Sequence, residues 1–269
     1  MNDLRLNDAS KVLEEVRKKG PLVHCITNYV TINDCANILL SYGASPAMCE
    51  AYGEVFDFVK IASALYINIG TFTREQESSA ILAAVSAKIH NVPVVLDPVA
   101  CAAIPNKIRF IDKLFKVGRV DLIKGNIGEI KFLAGEASNV KGVDSLEDGE
   151  GALECCNILS EKYNCVVAAT GKKDFIVQGK NSAIIENGTE MLTKITGAGC
   201  MLGALCAAAC GSFENKFLAA AGAILSMNIA GEEAYKEAKA PGSFRVKLID
   251  CIYELSEEKL KKEGKIIWN

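Results

Sequence analysis

The sequence is poor in the residues that most often hold transition metals. It has two histidines, His24 and His90, among 269 residues, and none of its eleven cysteines forms a CxxC pair. Zinc sites are usually built from such Cys and His groups, so we expect no zinc site. Basic residues are not in excess either, with 30 Lys and Arg against 33 Asp and Glu. A nucleic-acid partner needs a basic patch, and we therefore expect none.

Long apolar runs are also missing. The apolar stretches fall far short of the roughly 18 residues that a membrane span needs, and residues 1–20 contain no apolar signal-peptide core. These absences predict a soluble, cytoplasmic protein that does not enter a membrane. Half of the residues are nevertheless apolar, which is enough to bury one large core. We therefore expect residues 1–269 to form a single domain.

The eleven cysteines are a high and odd number for a chain of this length. Without a secretion signal, a framework of disulfides is not expected. We interpret most of these cysteines as small buried apolar side chains. Cys200 is the exception, and a functional role is left open for Cys25 and Cys101.

Short apolar runs alternate with helical patterns in the first 171 residues. Almost wholly apolar runs are typical of parallel strands covered on both faces, and we predict strands at 21–27, 64–70, 92–98, 120–126 and 165–171. The segments between them predict helices at 31–42, 74–90, 105–116, 127–134 and 150–163. This alternation predicts an α/β fold with a mainly parallel sheet between two layers of helices. Beyond residue 171 we predict short antiparallel strands with turns at 179–181 and 187–188, then helices near 199–211, 214–238 and 243–263.

Polar residues or glycines end five of the predicted strands. Ligands of open α/β sheets bind beyond the carboxyl ends of the strands, so these positions favour one common site. Turns also prefer Gly, Asn and Asp, which makes each position weak when taken alone. The positions are Thr27-Asn28, Gly70-Thr71, Asp97-Pro98, Lys124-Gly125-Asn126 and Thr170-Gly171.

The stretch ITGAGC, residues 195–200, precedes an apolar helical run. Gly197 and Gly199 permit a backbone that turns successive N–H groups into one concavity, and a helix starting at Ala198 to Cys200 adds its positive end. These four residues could form an anion hole for a phosphoryl group. A tight glycine turn before a buried helix explains the stretch equally well, and both readings stay open at this point.

The stretch KGNIGE, residues 124–129, predicts a strand end followed by a helix start. Lys124 can neutralise a phosphate, while Asn126 can cap the helix with Glu129 reaching back, as in a capping box. Glu129 could instead approach a magnesium ion through water. The two roles compete for one carboxylate. Asp97 likewise either caps the following turn or faces a cation.

The motifs HCITN, YINIGT, VVLDPVA, IKGNIGE, AATG, ITGAGC and PGSF occur in this order between about residue 10 and about residue 250. In this order and combination the chain resembles the hydroxyethylthiazole kinases of the ribokinase-like superfamily. The resemblance implies a three-layer α/β/α sandwich, and ATP- and Mg²⁺-dependent phosphorylation of 4-methyl-5-(2-hydroxyethyl)thiazole in thiamine salvage. It also implies a homotrimer with the thiazole sites between subunits.

The resemblance further implies roles for residues on the nucleotide side. Lys124, often Arg in the family, and Thr170 match positions that contact ATP, and we place Asn126 beside them. Glu129 and Asp97 match the acids around magnesium.

On the acceptor side, Met48 and Gly197 match substrate-contacting positions, and Asn28 matches an asparagine near the thiazole. Cys200 matches the position of the catalytic base, where related kinases usually carry aspartate. An ordinary thiol with a pKa near 8.5 is only about 3% ionised at pH 7. A helix N-terminus lowers a thiol pKa, and the loose transition state of phosphoryl transfer asks little of a base.

Two departures from the family pattern are visible. The family usually continues DPV with glycines and a threonine, whereas this chain has DPVACAAI, residues 97–104. Because alanine disfavours positive φ, we expect a reshaped loop or a tighter pocket. Lys124 in place of Arg keeps a point charge but loses the planar fork.

Other functions remain to be weighed against the thiazole kinase. Another kinase of this fold, acting on a hydroxymethylpyrimidine or on pyridoxal, usually carries GAGD, as does an ATP-dependent lyase that repairs hydrated nicotinamide cofactors. A relative that binds nucleotide and thiazole without turnover would be consistent with the altered DPVACAAI loop.

Overall fold

The computed structural model describes residues 2–136, 149 and 151–269. Within them, one nine-stranded sheet has the order β2-β1-β3-β4-β5-β6-β7-β8-β9. Strands β1 to β6 pair in parallel, and β7, β8 and β9 add on antiparallel. The strands are β1 Leu22–Ile26, β2 Ser45–Ala47, β3 Ala64–Asn68, β4 Val94–Asp97, β5 Leu122–Asn126, β6 Val166–Thr170, β7 Asp174–Gln178, β8 Asn181–Ile185 and β9 Ile266–Trp268.

Helices cover both faces of this sheet. They are α1 Asn2–Lys19, α2 Ile32–Tyr42, α3 Val55–Val59, α4 Arg74–His90, α5 Pro105–Val117, α6 Ile127–Ala134, α7 Ala152–Tyr163, α8 Ala198–Ser212, α9 Lys216–Glu237, α10 Pro241–Glu254 and α11 Glu257–Glu263. Strand alternation divides the core into two clusters: in β3, Tyr66 packs toward α8 and α9, and Leu65 packs toward α4 and α5. The three-layer α/β/α sandwich with a mostly parallel sheet is therefore confirmed.

Several boundaries differ from the predictions. The short strands β2 and β9 and the helix α3 were not expected, because three to five residues are too few to show a clear period. The turn at 179–180 joins β7 to β8 as predicted, but residues 187–188 lead into a 3₁₀ turn, Glu190–Lys194. The helix expected at 243–263 is two helices, because Leu255 leaves the helical conformation at ψ 149° and the extended Ser256 caps α11.

Most of the cysteines are small buried side chains, as the sequence analysis predicted. All eleven lie among the described residues as free thiols, and nine of them are buried. Cys25 and Cys101 belong to the core, where burial raises the pKa of Cys101 to about 12 and that of Cys25 well above its usual value. Only Cys49 and Cys200 are half-buried. In the part of the chain that the structure covers, no helix has the length and apolar character needed to cross a bilayer.

The altered DPV loop does not avoid positive φ, contrary to expectation. Ala100 lies in the left-handed region at φ 56° and ψ 29°. Its N–H donates to Glu129 Oε1 at 2.8 Å, and the buried Lys107 ammonium donates to the carbonyls of Val99 at 2.6 Å and Gly70 at 2.9 Å. These hydrogen bonds fix the loop around Ala100. They therefore compensate the strain of its left-handed backbone.

Ala100→Gly is therefore expected to raise the free energy of unfolding by about 0.5–1 kcal/mol. Relief of the left-handed strain, about 1–2 kcal/mol, exceeds the added entropy of glycine in the unfolded chain, about 0.4–1 kcal/mol. Urea denaturation measures the change, with Ala102→Gly in the same loop as the control. If the Ala100→Gly variant were less stable than the parent, the claim that the Ala100 backbone is strained would be wrong.

Candidate active site

The predicted site residues meet at the carboxyl edge of the parallel strands. Asn28 follows β1, Met48 follows β2, Asp97 ends β4, and Thr170 ends β6. Strand register places Asn68 beside Asp97 and Asn126 beside Thr170. Because Val95 and Leu122 pack toward α8, the side chains of Asp97 and Lys124, two residues further on, lie on that same face.

The N-terminus of α8 lies against this edge. Gly197 precedes the helix at φ 86°, and among the described residues no side chain caps it. A methyl group on Gly197 would lie 2.6 Å from Thr31 Cγ2, so both its conformation and its surroundings require glycine. The first N–H groups of a helix have no intrahelical partner, and α8 therefore offers them to a ligand. The helix begins at Ala198, within the predicted range of Ala198 to Cys200.

A buried ion pair lies beneath this helix start. Lys124 Nζ is 3.5 Å from Asp97 Oδ2 and donates to the Gly199 carbonyl at 2.9 Å. Burial raises the pKa of Asp97 to about 6, although Lys124 opposes that rise. Burial alone would lower the pKa of Lys124, but Asp97 and Glu129 together raise it. We conclude that Lys124 is a permanent cation of the site.

Asp97 has one oxygen fully engaged and one free. Oδ2 accepts from Tyr66 Oη and Asn68 Nδ2, each at 3.1 Å. Oδ1 is buried and has no hydrogen-bond partner among the described residues. A buried carboxylate oxygen without a partner is costly, and a cation or its water would satisfy it.

Glu129 performs the capping role that the sequence suggested. Its Oε2 accepts from the Asn126 N–H at 2.8 Å, and Asn126 Oδ1 accepts from the Glu129 N–H at 2.8 Å. The Ala100 N–H occupies Oε1. A carboxylate has about four acceptor positions, so capping leaves room for a water or an ion.

These acids fit a magnesium ion better than a zinc ion. Among the residues described, His, Cys, Asp and Glu form no group of three or more that could hold a metal. Magnesium needs only one or two carboxylates, because it keeps several waters and takes phosphate oxygens as ligands. The free Oδ1 of Asp97 with the nearby Glu129 matches that requirement.

The half-buried Cys200 lies in the first turn of α8. Its Sγ accepts from Asn68 Nδ2 at 3.2 Å and from Asn28 Nδ2 at 3.4 Å. Its carbonyl lies 3.0 Å from Tyr66 Oη, whose single hydrogen is shared between this carbonyl and Asp97 Oδ2. The thiol is thus connected to Asp97 through the side chains of β3.

Other predicted residues lie at the edge but outside this network. Met48 is half-buried against the core, and Thr170 Oγ1 donates to the Gly125 carbonyl at 3.2 Å. Within the described ranges, their hydrogen bonds do not reach Cys200 or Asp97.

Sequence reasoning missed Tyr66 and Asn68. Both are fully buried in β3, in the run ALYIN. An amide inside an otherwise apolar strand is unusual, and this was the available signal. Its partners depend on strand order, which the local sequence does not state.

Comparisons with known proteins show which family the chain matches. Residues 13–258 match the model of the hydroxyethylthiazole kinase family. The chain is 90% identical over 269 residues, all of both chains, to a Clostridium kluyveri protein named hydroxyethylthiazole kinase. It is 37% identical to the solved structure of the hydroxyethylthiazole kinase protein from Pyrococcus horikoshii OT3, with a TM-score of 0.90 over 97% of this chain and 98% of that one. A ribokinase-like superfamily protein from Enterococcus faecalis V583 shares the fold, with a TM-score of 0.63 at 12% identity over 92% and 95%.

Proposed function

The chain belongs to the hydroxyethylthiazole kinase family, and on this premise we propose how it phosphorylates the alcohol of 4-methyl-5-(2-hydroxyethyl)thiazole, a reaction of thiamine salvage, with ATP as co-substrate. One observation carries the mechanism. The uncapped N-terminus of α8 lies directly above the buried Lys124–Asp97 pair. Free N–H groups and a fixed cation at one point are what a transferring phosphoryl group requires.

On the nucleotide side, the N–H groups of residues 197–200 hold the γ-phosphoryl oxygens. Lys124 supplies positive charge beneath them, and Asn126 and Thr170 contact the nucleotide from the ends of β5 and β6. Asp97 Oδ1 and Glu129 would hold Mg²⁺, the latter through water. When bound, the ion neutralises phosphate charge.

On the acceptor side, Asn28, Met48 and Gly197 surround the thiazole alcohol, and Cys200 orients its hydroxyl. The alcohol oxygen forms a bond to the γ-phosphorus, the bond from that phosphorus to the β–γ bridging oxygen breaks, and ADP leaves with the bond electrons. The hydroxyl proton passes late to the Cys200 sulfur, which accepts it in the thiolate form and becomes the thiol. A weak base suffices because positioning and charge stabilisation supply most of the acceleration.

The working unit in this proposal is a homotrimer of single-domain chains, 1–269, in the cytoplasm. Tyr29 and Val30 support it: they directly follow Asn28, yet 56% and 60% of their surfaces are exposed. Apolar side chains beside a site are covered when a second subunit closes it. Sedimentation equilibrium is expected to give three times the 28.8 kDa chain mass, and a monomer that retains full turnover would contradict the trimer.

A substrate panel tests the proposed function. ADP release is measured with ATP, Mg²⁺ and one alcohol at a time: hydroxyethylthiazole, a hydroxymethylpyrimidine or pyridoxal. We expect the highest kcat/KM with the thiazole. Preference for the pyrimidine or pyridoxal would assign the chain to another kinase activity of this fold. Binding of ATP and thiazole without any ADP would identify an inactive relative.

A further inference from the structure

We propose that Asn68 is a positioning residue that, together with Asn28, holds the Cys200 sulfur as a hydrogen-bond acceptor. Asn68 is fully buried, and Asn28 is 4% exposed. The inference deepens the proposed function, because it rests on the role of Cys200 as the acceptor of the hydroxyl proton. It assigns a part in the reaction to Asn68, a residue of the YINIGT motif to which the sequence analysis gave no role.

The orientation of the Asn68 amide is determined by groups that cannot exchange roles. Its Oδ1 lies 3.0 Å from the Gly70 N–H, which can only donate. On the opposite side, Nδ2 lies 3.1 Å from the Asp97 carboxylate, which accepts when ionised. Nδ2 also lies 3.0 Å from Tyr66 Oη, which is itself 3.1 Å from Asp97 Oδ2. One Nδ2 hydrogen can face these two adjacent oxygens, and the other then faces Cys200 Sγ at 3.2 Å.

The Asn28 amide is oriented by the same reasoning. Its Oδ1 accepts from the Val30 backbone N–H at 3.1 Å. Its Nδ2 must then face the other way, where it lies 2.9 Å from Asn68 Oδ1 and 3.4 Å from Cys200 Sγ. Two buried amides thus present N–H groups to one sulfur.

Two N–H donors constrain what the sulfur can do. They stabilise negative charge on it. A thiolate sulfur has three lone pairs, so two N–H donors leave one lone pair to face the acceptor hydroxyl. Asn68 also donates to Asp97. One amide therefore holds both the Cys200 sulfur, which accepts the proton, and the Asp97 carboxylate. Removing that amide should affect the chemical step through Cys200 and leave binding of the thiazole largely intact.

A double-mutant cycle tests the coupling. Asn68→Leu should lower kcat roughly 10–100-fold, the loss expected for a hydrogen bond to a charged group, while KM for the thiazole changes less than about threefold. In a Cys200→Ala background the same substitution should lower kcat by a clearly smaller factor, because only the hydrogen bond to Asp97 is then lost. An equal loss in both backgrounds would overturn the proposal.

A second readout does not depend on turnover. The rate of iodoacetamide alkylation at Cys200, followed by peptide mass spectrometry at one fixed pH, should fall about tenfold or more in Asn68→Leu. Alkylation of the half-buried Cys49 serves as the internal reference. Asn228→Leu is the matched control, since Asn228 is a buried amide that donates to the buried Asp174 carboxylate at 2.6 Å. It should leave the Cys200 rate within about twofold of the parent.

If Asn68→Leu does not fold, the isosteric Asn68→Asp, which has no Nδ2 donor, is alkylated in its place. Unchanged Cys200 alkylation in the folded variant would overturn the role of Asn68. Failure of the parent protein to phosphorylate the thiazole would instead overturn the proposed function, and the alkylation comparison would still decide whether Asn68 acts on the sulfur.

Discussion

Cys200→Ala is expected to lower kcat by about 10²–10⁴-fold at saturating ATP and thiazole, the range for loss of a general base. The helix start, Lys124 and the acids remain in this variant, so nucleotide affinity should change little. Cys206→Ala is the matched control, because Cys206 lies in the same helix but is fully buried. Equal rates for Cys200→Ala and the parent would remove any role for the thiol.

Cys200→Asp completes this experiment. A carboxylate at this position is ionised at neutral pH and could accept from the same amides, so activity should be kept or raised. A folded aspartate variant that binds ATP but is inactive would contradict the assignment of the position as a base. Rates are compared as kcat over a pH series for parent and variant.

Lys124→Met is expected to lower the free energy of unfolding by about 3–5 kcal/mol, because it leaves the buried Asp97 carboxylate without its cation. Phosphoryl transfer should fail at the same time, because the variant lacks the positive charge that Lys124 places beneath the N–H groups of residues 197–200. The double variant Lys124→Met/Asp97→Asn removes both charges and should recover most of the stability without activity. Guanidinium denaturation with EDTA measures the stability of all three proteins. Equal stability of the single variant and the parent would contradict the buried pair.

The stability that Lys124→Met loses should depend on pH in a defined direction. Burial raises the pKa of Asp97 to about 6, so the folded state holds this proton at pH values where the unfolded chain, with a pKa near 3.9, has released it. The carboxyl therefore costs stability as pH rises through that window. Without Lys124 the folded pKa should rise further. The stability gap between Lys124→Met and the parent should thus narrow below about pH 5 and widen toward neutral pH.

The sequence predicted those parts of the fold whose pattern is local. The five predicted parallel strands and the five predicted helices between them have clear apolar periods, and all were confirmed. The helix α8 begins at Ala198, within the range that the glycine turn predicts. Strand β2, with three residues including Pro46, has no such pattern. The left-handed Ala100 also could not be anticipated, because its strain is compensated by contacts from Glu129 and Lys107 that lie outside the loop.

The sequence predicted the site residues at the strand ends and in the glycine turn. It did not predict Tyr66 and Asn68, whose hydrogen bonds connect those residues. Asn68 faces Asp97 only because β3 and β4 are neighbours in register. Likewise, the sequence could not decide whether Glu129 caps its helix or faces a cation. The structure shows the cap with acceptor positions to spare, so the two roles need not exclude each other.

Mass spectrometry of the products formed from ATP, Mg²⁺ and hydroxyethylthiazole tests the central claim most directly. If the carboxyl edge and the N-terminus of α8 transfer the γ-phosphoryl group to the alcohol, the thiazole monophosphate should appear in a one-to-one ratio with ADP. ADP formed without phosphorylated thiazole, or no ADP at all with both substrates bound, would contradict that claim.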